Sequence, residues 1–308
     1  MDLNETLRMI TYMLIPAFFS LLGMAALGSP AIALLGEISA KSQKKVFFDK
    51  YGQQSSAMGL MLTLFTLVIY GITLGIFLFK SPQGNSFVLD TKSPLFIPLL
   101  SYAVFIVVGI LYFATWKKLR NLKSVHMLLG VISTLSAMVC VAYAIYAKLS
   151  IALTMGSDAA GNTATAISMA QPMSTMFVFL VLSVAAALSV TYLVLRREKD
   201  DFGRDYYNFA LKLASRWAVL PMIAFLGCQG WLFVLLPQNF KTLVLDTPLA
   251  YVWASLVGLG VICVILWMAL ARSESPLRLK GVAFVAAALL WIMHTLNATL
   301  FMNFMSML

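Results

Sequence analysis

Apolar residues run in eight long stretches, at about 10–36, 57–79, 95–116, 125–147, 174–195, 217–236, 249–271 and 281–302, separated by short polar segments. Each matches or exceeds the ~20 residues that an α-helix needs to cross the hydrocarbon core of a bilayer. A lone strand cannot satisfy its backbone in lipid, so runs of this length are helices. The pattern predicts an all-α, polytopic membrane protein with eight spans. The first stretch is long and contains Gly28 and Pro30, so a bend or an early exit from the membrane is expected there.

Charge adds a direction. The segments joining spans 1–2, 3–4, 5–6 and 7–8 carry 4, 4, 6 and 3 Lys+Arg, which is 17 of the 22 in the chain. The other five, Arg8, Lys80, Lys92, Lys148 and Lys241, fall on the opposite side. This asymmetry is the positive-inside pattern. It places both termini outside, predicts a multi-pass protein of the cell's inner membrane, and accounts for the net charge of +10 without a nucleic-acid partner. Composition agrees, because a soluble domain could not bury a chain that is 61% hydrophobic and 11% charged. The opening residues MDLNETLR lack a basic n-region, so no cleavable signal peptide is expected.

Internal similarity suggests two tandem halves. Asp49 and Asp205 are 156 residues apart, and the tetrapeptide VLDT occurs at 88–91 and again at 244–247, with the same offset. A duplication predicts two four-helix bundles, residues 1–156 and 157–308, related as parallel repeats about an axis along the membrane normal. The inside segments KKVFFDKYGQQ (44–54) and RREKDDFGRDYYNFALKLASR (196–216) mix charge with aromatic residues. They read either as short interfacial helices, with Phe and Tyr at the headgroups, or as solvated helix extensions. The small, polar segment 148–173 reads as a surface connector.

Candidate chemistry is sparse. All twelve acidic residues are expected in loops or at span ends, with none deep in a span, and the same holds for Lys and Arg. This weighs against a proton-coupled transporter and against a cation channel with an acidic ring. His294 and Asn297 lie three apart on one face of span 8, and Gln229 lies in span 6, all toward the outside. They read either as a quinone-headgroup pocket or as interhelical hydrogen bonds. Tyr102, Tyr143 and Tyr146 offer further hydroxyls. His294 could alternatively hold haem b with a Met as second ligand, whereas His126 lies near the opposite face and makes a poor axial partner for it. For His126, which follows Lys123 at the start of span 4, the plainer reading is a snorkelling, headgroup-facing imidazole. Cys140, Cys228 and Cys263 sit in apolar spans without metal-site spacing.

The run SVHMLLGVISTLSAMVCVAYAIYAKLSIALTMG (124–156) resembles the fourth helix of subunit I of cytochrome bd quinol oxidases. YMLIPAFFSLLGMAAL (12–27), VVGILYFATWKK (107–118), TYLVLRREKDD (191–201) and SLVGLG (255–260) resemble pieces of that family's first, third, fifth and seventh helices, in order. The resemblance implies an N-terminus outside and two four-helix bundles. It also exposes departures. Where the family has haem-ligating histidines, this chain reads ITYMLIP and PMSTMFVFL; its haem-ligating Met corresponds to Leu256; its third-helix acids fall among residues such as Pro98 and Val104. The family's long quinol-binding loop is reduced to PQNFKTLVLDTP. His126 matches a family histidine but is not read as a haem ligand. The expectation is a bd-like scaffold that has lost its haem ligands and acts as an anchoring or quinone-contacting subunit among other membrane subunits of a respiratory complex. A haem b or quinol-binding redox protein using His294, and a small-molecule transporter, are the alternatives.

Overall fold

The structure is a computed structural model of the chain; it describes all residues except 1, 81–89, 156–158, 200–201 and 308. The described residues form nine α-helices: α1 (Leu3–Gln43), α2 (Val46–Lys80), α3 (Phe96–Ala114), α4 (Lys123–Met155), α5 (Ala159–Arg196), α6 (Arg204–Leu235), α7 (Gln238–Leu245), α8 (Leu249–Arg272) and α9 (Lys280–Met307). All but the short α7 are long and apolar enough to cross a membrane. The eight expected spans are therefore present, and several helices, α1, α2, α4, α5 and α9 among them, overrun theirs at both ends.

The overruns correct several boundaries. α1 does not end at Gly28 or Pro30 but continues for 41 residues. Proline deprives a helix of one backbone donor. In the same turn the Ser29 hydroxyl donates to the Ala25 carbonyl at 2.5 Å, and residues 28–34 are all buried. The proposed connector 148–173 is largely helical, with α4 running to Met155 and α5 starting at Ala159. Lys148 thus stands on α4, its Nζ 5.4 Å from the centre of the Phe301 ring. The described parts of the aromatic inside segments that lie in 46–54 and 204–216 are the first turns of α2 and α6, as the helix-extension reading holds. Their tyrosines are not at a headgroup surface, however: Tyr51, Tyr206 and Tyr207 are fully buried. The first VLDT copy lies partly outside the described residues, while the second spans the end of α7 and the turn after it.

α5 is the central helix. In its most apolar window 61% of residues are buried within the chain, against 18–39% for the other seven. Those seven turn most of their apolar surface outward, as helices solvated by lipid do. α1 crosses α5 where small residues let the backbones approach. A Cβ on Gly28 would lie 2.5 Å from the Val181 carbonyl oxygen and 2.6 Å from the Ala185 Cβ, so only glycine fits. Around this crossing α1 packs on α2, α3 on α4, α5 on α6 and α8 on α9. α4 also lies against α5, and α9 lies against α1.

Polar seams join distant parts of the chain at both ends. At the Lys/Arg-rich end the Tyr206 hydroxyl donates to Gln54 Oε1 at 2.7 Å, Gln54 Nε2 donates to the Tyr207 hydroxyl at 3.3 Å, and the Tyr51 and Ser189 hydroxyls are 3.1 Å apart. At the opposite end the Trp291 indole donates to the Leu14 carbonyl at 2.9 Å, and Asn303 Nδ2 lies 3.3 Å from Met9 Sδ. The two termini therefore share one end of the bundle.

Candidate functional site

The most polar buried arrangement involves a residue that the hydropathy pattern passes over. Glu37 lies one position beyond the expected end of the first span, but α1 continues past it and its neighbours cover it, leaving it 2% exposed. Glu37 thus stands at a span end, as expected of the acids, but helix–helix packing encloses it instead of leaving it in water. His126, in the first turn of α4, is also 2% exposed. It does not snorkel to a headgroup region. α1, α3 and α4 enclose it, and its ring is 4.5 Å from Tyr112 and 4.8 Å from Trp116, centre to centre.

Both ring nitrogens of His126 are committed. Nε2 lies 2.9 Å from the Tyr112 carbonyl oxygen, and a carbonyl can only accept, so Nε2 carries a hydrogen and donates. Nδ1 lies 2.9 and 3.0 Å from the two Glu37 carboxylate oxygens. The two side chains form a buried pair close to the basic face. A cleft of about 360 Å³, lined by Glu37 and His126 together with Asp49, Gln53, Trp116 and Lys123, opens there. Lys123 Nζ and Asp49 Oδ1 form an ion pair of 3.1 Å at its mouth, with side chains 38% and 30% exposed. Such half-exposed pairs shape a surface more than they stabilise it.

The residues singled out by sequence gather at the other end of the bundle, in part. Gln229 Nε2 lies 3.3 Å from Asn297 Oδ1 and 3.0 Å from Met176 Sδ. His294 Nε2 and the Ser20 hydroxyl are 3.1 Å apart. All three of Gln229, His294 and Asn297 are buried. His294 Nδ1 and Asn297 Nδ2 have no hydrogen-bond partner among the described residues. Ser20 also lines a cavity of about 190 Å³, with Thr66, Tyr70, Tyr102, Cys140 and Lys148 around it. His126 does not join this group, and Tyr143 and Tyr146 face a separate outward groove between α4 and α5.

The two histidines differ in what they leave open: His294 keeps Nδ1 without a partner among the described residues. His126 has no free nitrogen, and the cavity beside Ser20 is smaller than the roughly 300–1,000 Å³ of ordinary small-molecule pockets. No group of three or more His, Cys, Asp or Glu able to hold a metal ion occurs among the described residues. Glu37 was legible in principle, since GEISA places an acid between apolar and small residues without a break in helical pattern. Its partner stands 89 positions away, and local periodicity carries no information about that pairing.

No protein-family profile matches the sequence, and no curated protein matches it significantly. The backbone nevertheless superposes on a chain of the bd oxidase from Geobacillus thermodenitrificans with a TM-score of 0.73, covering 98% of this chain and 88% of that one at 11% sequence identity. At that identity the likeness establishes a shared fold.

Proposed function

We propose that this chain is an integral membrane subunit of a respiratory electron-transfer complex, built on the bd-oxidase scaffold, that anchors or contacts partner subunits without holding haem itself. The observation that carries the proposal is the backbone likeness to a bd oxidase chain over almost the whole length. Two features support the haem-free form. The departures at the family's ligand positions leave two histidines in the chain, and one of them is fully engaged by Glu37 and the Tyr112 carbonyl. The chain sits in the inner membrane with both termini outside, a reading that rests on the Lys/Arg asymmetry. Its two halves, 1–156 and 157–308, arose by duplication; the reciprocal packing of α4 on α5 and of α9 on α1 supports that reading.

The opposite-end cluster favours a quinone-contacting role over a purely mechanical one. A buried imidazole nitrogen and a buried amide nitrogen without partners are costly unless something else meets them. A quinone ring presents carbonyl oxygens of the right kind to a side chain that donates. The proposal is tested by isolating the full chain from native membranes in mild detergent. Stoichiometric recovery with a haem-bearing membrane partner is the expected result. A monodisperse chain that brings no redox protein with it would overturn the proposal.

A further inference from the structure

The Lys/Arg-rich end carries a second cleft, distinct from the one at Glu37 and His126. It lies between α6 and α8, has a volume of about 550 Å³, and is lined by Lys212, Arg216, Val219, Leu220, Met268 and Arg272 among others, none of them acidic. On α6 the spacing 212, 216, 219, 220 draws one stripe along the helix face. α6 enters from the Lys/Arg-rich end at Arg204, so the two cations come first and the apolar residues lie about 6 Å deeper. α8 runs the other way and ends at Arg272, which puts Met268 one turn deeper than its arginine. The two stripes therefore agree: three cations at the mouth, aliphatic side chains below. Leu220 is 69% exposed, as a side chain that meets acyl chains would be. The ion pairs among the described residues involve Lys123 and His126 and none of these three cations.

We propose that this cleft binds the headgroup of an anionic phospholipid from the leaflet at the Lys/Arg-rich end. The phosphate sits among Lys212, Arg216 and Arg272, two of which are guanidinium forks suited to phosphate oxygens. One acyl chain follows Leu220 and Met268. The charge complementarity, and the ordering of charge above apolar surface, distinguish this occupant from a soluble anion, which has no use for the lower half of the cleft.

The test uses the full chain in mild detergent, titrated with phosphatidylglycerol or phosphatidylcholine, with bound lipid counted by native mass spectrometry. The wild type is expected to retain phosphatidylglycerol in preference. Lys212→Gln/Arg216→Gln/Arg272→Gln is expected to weaken that retention about tenfold or more. Lys44→Gln/Lys45→Gln/Lys118→Gln removes the same charge from exposed positions at the same end and is expected to leave it nearly unchanged. Equal loss in both triple variants would show general surface attraction and overturn the proposal. So would equal retention of the zwitterionic lipid, or displacement of the bound lipid by millimolar inorganic phosphate. Should the first triple variant fail to fold, Arg272→Gln alone decides: its side chain is exposed, about a fivefold loss supports the site, and unchanged binding overturns it.

Discussion

His126→Ala strands the Glu37 carboxylate in a position that is 2% exposed, with its principal partner gone. Breaking a buried pair by removing one member typically costs about 3–5 kcal/mol, because the remaining charge is left uncompensated. The same substitution abandons the Tyr112 carbonyl, which loses a donor at 2.9 Å. For a chain of this size ~3 kcal/mol corresponds to roughly 5 °C in melting temperature. Glu37→Gln behaves differently. The amide can donate to Nδ1 while Nε2 keeps donating to Tyr112, so every hydrogen bond survives with neutral partners and the loss stays near ~1 kcal/mol. Replacing both residues with leucine removes charge and partner together and recovers most of the deficit. The assay is thermal unfolding of the purified full chain in detergent for the wild type, the variants above, and His126→Leu and Glu37→Leu, which close the cycle with the double leucine variant. Strong coupling in the double-mutant cycle, about 2 kcal/mol or more, is the expected result. If His126→Ala melts like the wild type, or if the two substitutions add, the buried-pair account fails.

Gly28→Leu drives a side chain into the Val181 carbonyl and the Ala185 methyl and is expected to lower stability by about 3 kcal/mol or more, whereas Gly258→Ala, which meets nothing within 4 Å, leaves melting unchanged; the same thermal scan reads both. Tyr206→Phe removes the hydroxyl that donates to Gln54 at 2.7 Å and is expected to cost about 1 kcal/mol or somewhat more. Asp49→Asn breaks only the half-exposed pair with Lys123, so its effect stays under about 1 kcal/mol and shrinks further with added salt. His294→Ala is expected to reduce retention of a ubiquinone analogue by purified protein, measured by equilibrium dialysis, while Asp49→Asn, on the other end of the bundle, leaves it unchanged.

The eight spans were legible because a bilayer imposes length and apolarity directly on the sequence, and each of the eight runs matches one helix to within two residues or lies inside it. Helix ends were less so. Gln43 and Met155 extend α1 and α4 well past the apolar windows, because water-exposed turns continue a helix without any hydropathy signal. The cluster of Gln229, His294 and Asn297 was anticipated only at the level of shared depth: the Gln229–Asn297 contact follows from that depth, while the contact of His294 with Ser20 joins helices 274 positions apart. His126 shows the opposite limit. Its neighbours in sequence, Lys123 and Val125, suggest a residue at an interface. The side chains that decide its state, Glu37 and Trp116, arrive from other helices. The burial of Tyr206 and Tyr207 follows the same logic, since an aromatic pair beside charges looks interfacial until a second helix packs over it.

We propose above that this chain keeps a bd-oxidase scaffold and holds no haem of its own. A reduced-minus-oxidised absorption spectrum tests it most directly, recorded on the full chain purified alone, with a cooperative thermal transition showing that it is folded. The expected result is a flat difference spectrum from the chain alone, and haem bands only when its native membrane partner is present. A b-type band from the isolated chain, abolished by His294→Ala, would contradict it.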